Sequence, residues 1–276
     1  SLGITFAIDT PALPSRPVPF RKNPLAFDAY LEKLNQVQAG LQRGDSFLVN
    51  LTAETPIETK LSIKEIFERA DAPYKILVHD LFTSFSPETF VRIQGNEITS
   101  YPMKGTLAVS ETNKEEDLRH DYKEKAEHAT IVDLIRNDLS QVAFPIRVEK
   151  YQYIERVKTH TGELWQMSSK ITGTLMPEFE RKFGSILLKL LPAGSITGAP
   201  KKATMELIKK AEQYERGFYT GIMGKFDGTN FNSGVLIRFI EKSTKGLMYK
   251  SGGGITVFSE VQKEYNELIQ KVYLPF

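Results

Sequence analysis

The chain has no cysteine in its 276 residues, and histidine is scarce. The first absence excludes disulfides, thiolate catalysis and cysteine-ligated zinc. The four histidines include no pair at metal-ligand spacing, which argues against a histidine-rich zinc site. We see no secretory signal pattern in the sequence and expect a cytoplasmic enzyme.

An excess of one charge and long apolar runs are also lacking. The net charge is +2, and no basic stripe with interleaved aromatic residues is visible, so we expect no nucleic-acid partner. No apolar run approaches membrane-spanning length, so we expect no membrane partner. Because no linker stands out, we predict one catalytic domain over residues 1–276, in which a proline-rich segment, 1–24, is extended.

Hydrophobic periodicity predicts a mixture of helices and strands without strict alternation. The predicted helices are 26–43, 121–139, 179–191, 201–213 and 259–271. The predicted strands are 46–53, 75–85, 90–94, 97–101, 218–226, 231–241 and 246–251, with a strand-rich region at 143–174. This order indicates a layered α/β (α+β) fold with largely antiparallel sheets and surrounding helices.

Lys104 lies between Pro102-Met103 and Gly105-Thr106, which predicts a tight, ordered turn. An amine held in this way can act as a nucleophile or a base, although most lysines are solvated surface residues. Two Glu pairs at a spacing of three residues, Glu124 with Glu127 and Glu264 with Glu267, each lie on one helix face. They could surround a hard dication such as magnesium, or they could be two solvated helix faces.

Three further features suggest a site for an anion, and each also has a structural explanation. The glycine run 251–255 follows a strand and either cradles an anion or is a plain loop, and Lys201 lies at a helix N-terminus. Arg238, in an otherwise apolar predicted strand, should face a carboxylate of a ligand or of a structural ion pair. Tyr219 could add a hydroxyl to the same site or fill the core.

Several strings then resemble those of the chorismate-utilising enzymes, which include anthranilate, aminodeoxychorismate, isochorismate and salicylate synthases. They occur in family order between residues 46 and 271: SFLVNLT (46–52), SPETF (86–90), PMKGT (102–106), EHATIVDLIRND (127–138), GSITGAPK (194–201), FYTGIMG (218–224), SGGGI (251–255) and EYNE (264–267). The resemblance implies an anthranilate synthase component I-like fold. Within the family, Lys104 and Asn50 together match the aminodeoxychorismate branch, since anthranilate synthases and water-adding members have alanine at the first position and the latter have lysine at the second.

The resemblance implies that the chain converts chorismate and ammonia into 4-amino-4-deoxychorismate, the precursor of 4-aminobenzoate and folate. Lys104 would attack ring carbon 2, Glu88 would protonate the departing 4-hydroxyl, and ammonia would add at carbon 4 and expel the lysine. Two easier displacements would replace one hard substitution. The ammonia would come from solution or from a glutaminase subunit.

By the same resemblance, magnesium would bind Glu124, Glu127, Glu264 and Glu267 and the ring carboxylate. The residues expected to bind the substrate are Asn50, Gly105, Thr106, Gln166, Tyr219, Arg238, Gly252, Gly254 and Lys271. Gln166 stands where the family often has histidine, and glutamine cannot become cationic.

Family members often carry a further N-terminal region of well over a hundred residues, whereas about 45 precede the first motif here. We therefore expect a compact form without tryptophan binding. The alternatives are an anthranilate-type synthase and a chorismate-binding module without turnover.

Overall fold

The computed structural model describes residues 3–8, 18–159 and 162–276. Most of the proline-rich run at 11–19 therefore lies outside the described residues. The remaining chain forms two compact units, and each unit is assembled from separate stretches of sequence. The first unit comprises Ser1–Pro87, Ile196–Met223 and Val235–Phe276, and the second comprises Glu88–Ser195 and Gly224–Gly234. The single catalytic domain expected from the sequence stays a prediction.

Helices and antiparallel strands alternate irregularly along the chain, as the periodicity predicted. The helices of the described residues are α1 (Phe27–Gln42), α2 (Ile63–Arg69), α3 (Glu115–His120), α4 (Tyr122–Leu139), α5 (Phe183–Leu190), α6 (Gly194–Thr197), α7 (Lys201–Glu212) and α8 (Val261–Gln270), with a 3₁₀ turn at Pro177–Phe179. Among them, no helix combines the length and the apolar character that a membrane span requires.

The strands are β1 (Ile4–Ile8), β2 (Phe20–Lys22), β3 (Leu48–Thr59), β4 (Tyr74–Val78), β5 (Phe82–Ser86), β6 (Thr89–Gln94), β7 (Glu97–Ser100), β8 (Met103–Ala108), β9 (Ala143–Thr159), β10 (Gly162–Leu175), β11 (Gly198–Ala199), β12 (Ile222–Phe226), β13 (Phe231–Val235), β14 (Phe239–Ser243) and β15 (Gly246–Ile255). They form two sheets whose described pairings are antiparallel. The predicted fold class is confirmed.

The first unit is built on a sheet in the order β1-β4-β5-β14-β15-β3-β11, with β2 also paired to β3. Helices α1, α7 and α8 cover its β3–β15 region because their apolar stripes match the apolar face of those strands. Tyr30, Leu34 and Val37 of α1 pack in one buried cluster with Leu51 of β3 and Ile255 of β15. This core fixes the strands that carry the first unit's candidate residues.

The glycine run was predicted as a loop, but it lies inside β15 and pairs with β3. Gly252 faces Thr52, and Gly254 faces Asn50. A Cβ added at Gly252 would lie 2.5 Å from the Leu51 carbonyl oxygen, closer than real Cβ contacts allow. The glycines therefore let two backbones approach closely within the sheet.

The second unit contains the sheet β12-β13-β6-β7-β10-β8, in which β9 also pairs with β10. Helix α4 packs against β8, β9 and β10. It begins after Asp121, whose side chain accepts a hydrogen bond from the Glu124 N–H and caps the helix. The α4–β8 contact brings one glutamate pair next to the lysine of interest.

The predicted strand 231–241 is wrong in its middle, since β13 ends at Val235 and β14 begins at Phe239. Arg238 lies in the connection and has φ of +52°. A left-handed backbone conformation at a residue with a side chain cannot continue a strand. The helix predicted at 179–191 is likewise shorter, because a 3₁₀ turn precedes α5.

Candidate active site

Lys104 lies in β8, not in the predicted tight turn. The register between β8 and β10 shifts there: Gln166 faces Thr106, whereas Ser168 faces Met103. One extra residue is thus inserted on β8, and Gly105 takes φ of +89°. An inserted residue beside a glycine of positive φ is a β-bulge, a feature that redirects side chains out of the regular sheet pattern.

The bulge brings the amine of Lys104 to the glutamate pair of α4. Lys104 Nζ lies 3.2 Å from Glu127 Oε2, and the two side chains are only 23% and 10% exposed. A Cβ added at Gly105 would lie 3.0 Å from Glu124 Oε2. Both carboxylates of the pair therefore face the bulge, and a side chain at position 105 would displace one of them.

A buried histidine fixes the backbone of this bulge. His128 is fully buried; its Nδ1 lies 3.3 Å from the Lys104 carbonyl oxygen, and its Nε2 lies 2.7 Å from Ser169 Oγ. Ser169 Oγ accepts the Gln152 N–H, so its own hydroxyl proton is available for Nε2. These contacts assign the neutral tautomer, in which Nδ1–H donates to the carbonyl of Lys104. Burial lowers the pKa of His128 and so favours the same neutral form. The hydrogen bond to the Lys104 carbonyl has a smaller, opposing effect on this pKa.

Two other candidates of the second unit have defined neighbours. Glu88, half-buried at the start of the segment before β6, accepts a hydrogen bond of 2.8 Å from Ser195 Oγ. Gln166 of β10 donates to Met103 Sδ at 2.8 Å and to Ser168 Oγ at 3.3 Å. Gln166 thus lies beside the residue that precedes Lys104, opposite Thr106 in the sheet.

In the first unit, the second glutamate pair faces the glycine strand. A Cβ added at Gly253 would lie 3.6 Å from Glu264 Oε2 and 3.6 Å from Glu267 Oε1, so both carboxylates of α8 turn towards the same backbone. Lys271 Nζ lies 2.6 Å from Glu267 Oε1 and donates to the Gly252 carbonyl at 2.8 Å. Gly252, Lys271 and this glutamate pair therefore lie together within one unit.

Arg238 has a tyrosine as its neighbour, which leaves the structural ion pair considered above without support among the described residues. Its Nε donates to Tyr273 Oη at 3.3 Å, and its guanidinium lies 5.5 Å from the centre of that ring. Within the described part of the chain, Arg238 forms no ion pair with Asp or Glu. A guanidinium cannot lose its charge in a protein, and its remaining N–H groups suit a ligand carboxylate.

Tyr219 and Asn50 are positioned by packing and by a buried ion pair. Tyr219 is 4% exposed and packs its ring against Phe239 at 5.8 Å. The Asn50 carbonyl accepts a 2.7 Å hydrogen bond from Arg216, which also binds the carboxylate of Glu212 at 2.6 Å. Burial is the largest single effect and lowers the pKa of Arg216, but the hydrogen bond and charge of Glu212, together with nearby tyrosines, raise it, and the net shift is upward.

The two glutamate pairs have the chemistry that magnesium requires, because carboxylate oxygens are its preferred protein ligands. One pair belongs to each unit, and Glu127 and Glu267 are each next to a lysine. Among the described residues, no three His, Cys, Asp or Glu side chains gather closely enough to hold a metal ion. The magnesium site stays a prediction.

Sequence reasoning missed His128, Ser195 and the Glu212–Arg216 pair. His128 directly follows Glu127 in a quoted motif, and Ser195 lies in GSITGAPK, so the motifs contained both. A lone histidine on a helix more often fills the core. The partners that distinguish His128 lie on β9 and β10, far along the chain.

Comparison with known proteins places this sequence in one family. The sequence matches the chorismate binding enzyme family over residues 9–275. It is 49% identical over 262 residues to a Haemophilus influenzae protein named uncharacterized PabA-like protein, covering 94% of this chain and 80% of that one. It is 33% identical over 260 residues to aminodeoxychorismate synthase component 1 of Salmonella typhimurium, covering 88% of this chain.

A solved structure gives the same fold. Anthranilate synthase component I from Streptococcus pneumoniae superimposes with a TM-score of 0.78 at 26% identity, over 93% of this chain. The chain spans 59% of that protein and 56% of the Salmonella synthase component. The expected anthranilate synthase component I-like fold is confirmed.

Proposed function

The chain belongs to the chorismate binding enzyme family, and from that membership we propose that it converts chorismate and ammonia into 4-amino-4-deoxychorismate. The observation that carries the proposal is the placement of Lys104. Its amine leaves the sheet at a bulge and meets Glu127 at 3.2 Å in a largely shielded position. A solvated surface lysine needs no such arrangement, whereas a nucleophilic amine does. The 33% identity to an aminodeoxychorismate synthase component supports the same reaction.

In the first step, the neutral amine of Lys104 attacks ring carbon 2. Both ring double bonds shift, the bond from carbon 4 to its hydroxyl oxygen breaks, and the carboxylic acid of Glu88 supplies the proton with which water leaves. A lysine must lose its proton before it can attack. Glu127 Oε2 lies 3.2 Å from the amine and would accept that proton.

In the second step, ammonia adds at carbon 4. Both double bonds shift back, and the bond between carbon 2 and the lysine nitrogen breaks, which returns Lys104 as a neutral amine. The network of His128 keeps the Lys104 peptide in place through both steps, because the ring donates to the carbonyl of that residue. Covalent catalysis of this kind divides one difficult substitution into two easier ones.

The polar groups of the substrate are assigned to the residues that the family resemblance indicates. Arg238 would bind the enolpyruvyl carboxylate, with the Tyr219 hydroxyl beside it. The backbone of Gly105, Gly252 and Gly254, the Thr106 hydroxyl and Lys271 would bind other polar groups of the substrate, and Gln166 would contact a ring substituent. Asn50 would lie near the ring. Magnesium held by Glu124, Glu127, Glu264 and Glu267 would neutralise the ring carboxylate when bound.

The test is a product analysis of the purified chain with chorismate, magnesium and ammonium, coupled to an aminodeoxychorismate lyase. We expect 4-aminobenzoate, and none when ammonium is omitted. Anthranilate or isochorismate would refute the assigned reaction. Protection against thermal unfolding by chorismate without any product would instead favour a binding module. Replacing ammonium with glutamine, with and without an added glutaminase subunit, tests whether a partner supplies the ammonia.

A further inference from the structure

A small cavity in the second unit lies against Glu88. Its volume is about 30 Å³, enough for one or two molecules of the size of water. Most of its wall is apolar and comes from β6, α4, the end of α5 and the residues that follow α5. Its polar lining residues are Glu88, Thr89, Ser100, Asp138 and Ser195. A ligand of this cavity must therefore be very small.

The polar groups of the cavity are mainly hydrogen-bond acceptors. Asp138 is 7% exposed, and Glu88 accepts the hydroxyl of Ser195 at 2.8 Å. The hydroxyl of Ser100 is already donated to the Phe90 carbonyl at 3.0 Å. An ionised carboxylate accepts hydrogen bonds and cannot donate them. Once Glu88 has given up its proton, two carboxylates line the cavity, and they favour a ligand with several N–H donors and a positive charge over water.

The carboxylate of Asp138 lies directly against the backbone of Gly194, the first residue of α6. A Cβ added at Gly194 would lie 2.9 Å from Asp138 Oδ2 and 2.8 Å from Leu134 Cγ. A residue larger than glycine at position 194 would therefore displace the side chain of Asp138.

We propose that this cavity binds the ammonium ion that becomes the nitrogen nucleophile, with Asp138 as its binding residue and Glu88 as its proton acceptor. The inference rests on the proposed function, and it adds a place and a proton path for the second substrate. Nitrogen adds at the ring carbon that lost the hydroxyl. A group beside the departing hydroxyl is therefore also beside the arriving nitrogen.

The proton transfers balance over the cycle. Glu88 gives its proton to the departing hydroxyl, which leaves as water, and becomes a carboxylate. Ammonium in the cavity then returns one proton to Glu88 and becomes neutral ammonia. The ammonia lone pair forms the bond to carbon 4 while the bond between carbon 2 and Lys104 breaks. The sum is chorismate plus ammonium giving the aminated product, as its ammonium form, plus water.

Asp138→Asn tests the ammonium site, because it keeps the shape of the side chain and removes its charge. We expect the KM for ammonium, measured at saturating chorismate, to rise by about tenfold or more, with the KM for chorismate changed less than about twofold. Asp133→Asn is the control, since Asp133 lies on the same helix and is 79% exposed in a surface pair with Arg136. That variant should keep both constants.

A second variant fills the cavity and leaves its charged side chains unchanged. Ala193 lines it and is 1% exposed, so Ala193→Val should lower kcat/KM for ammonium while thermal protection by chorismate persists. If the wild type makes the aminated product and both variants keep its ammonium KM, the ammonium site is refuted and the proposed function stands. If the wild type makes no nitrogen-containing product, both are refuted. Thermal unfolding of each variant shows whether it is folded, and an unfolded Asp138→Asn leaves Ala193→Val to decide.

Discussion

Lys104 Nζ lies 3.2 Å from Glu127 Oε2, across the contact between strand β8 and helix α4. The lysine is directed there by a bulge, and the glutamate by its place on the helix face. A second ion pair in the same unit, Lys170 with Glu149 at 2.6 Å, joins β10 to β9, where the register also shifts, and its side chains are 29% and 39% exposed. The pair of Lys104 and Glu127 is more shielded from solvent, at 23% and 10% exposed.

Lys104→Ala should lower the rate of product formation by several orders of magnitude, because removal of a covalent nucleophile removes the whole two-step path. Chorismate should still protect the variant against thermal unfolding. Lys170→Ala is the matched control and should keep the rate. The direct measurement is the intact mass of the wild type incubated with chorismate and no ammonium, which should show dehydrated chorismate attached to Lys104. Normal turnover of Lys104→Ala would exclude the covalent role.

Glu264→Gln should weaken magnesium binding, because it replaces a charged ligand with a neutral one. We expect the magnesium concentration that gives half-maximal chorismate binding, measured by calorimetry, to rise about tenfold. Glu260→Gln is the control, since Glu260 precedes the same helix and its exposed side chain pairs with Lys263. An equal magnesium dependence in both variants would place the metal elsewhere.

Arg238→Ala should chiefly raise the KM for chorismate, by about tenfold or more, with a smaller effect on kcat. The reason is that Arg238 would hold a carboxylate that is present before and after the chemistry, so its loss weakens ground state and transition state together. Steady-state kinetics measure this split. Arg43→Ala, which removes an exposed arginine paired with Asp45, should leave both constants unchanged. A fall in kcat alone would assign Arg238 a role in the chemical steps.

The short helices α2 and α3 were not predicted from the sequence. Helices α1, α4 and α7 were predictable, because burial of one face repeats with the helical period, and each begins and ends within two residues of the predicted bounds. The bulge at Lys104 and the strand character of the glycine run were not, since both depend on partner strands distant in sequence. The close approach of Gly252 to Leu51 is visible only in the assembled sheet, whereas a glycine run in a sequence usually predicts a turn.

The same reasoning explains the uneven prediction of the site. Motifs identified Lys104 and the glutamate pairs because the residues stand in a recognisable order. The contact of His128 with Ser169 required the position of β10 against α4. The break in the predicted strand at Arg238 comes from a left-handed backbone conformation, and the apolar residues around it give no indication of such a conformation.

His128 gives the protein a defined acid sensitivity. Burial lowers its pKa below the ordinary value of 6.5, so the unfolded chain binds a proton at a higher pH than the folded one. Its contribution to stability is complete above about pH 6.5 and is lost as pH falls through the lower pKa of the folded state. The slope from one such group is at most about 1.4 kcal/mol per pH unit.

Urea unfolding at pH 7.5 and pH 5 measures this contribution. His128→Asn should be less stable at the higher pH but should lose less stability between the two, because asparagine takes up no proton. His120→Asn, a change at an exposed histidine of α3, should keep the wild-type difference. A wild-type slope in His128→Asn would mean that another group causes the acid sensitivity.

The Glu212–Arg216 pair should be a major source of stability in the first unit. Glu212 is 2% exposed and accepts hydrogen bonds from the N–H and the hydroxyl of Thr52 as well as from Arg216. Removal of one partner of a buried pair leaves the other charge uncompensated, at a cost of about 3–5 kcal/mol. Glu212→Gln should lower the free energy of unfolding by about that amount.

Glu206→Gln on the same helix is the control for Glu212→Gln, since Glu206 is exposed, and its effect should stay within about 0.5 kcal/mol. Because Arg216 also binds the Asn50 carbonyl at 2.7 Å, the loss should extend to the segment SFLVNLT. Hydrogen exchange of β3 amides should then become faster in Glu212→Gln than in Glu206→Gln. A destabilised variant with unchanged exchange in β3 would mean that the pair holds α7 and leaves β3 independent of it.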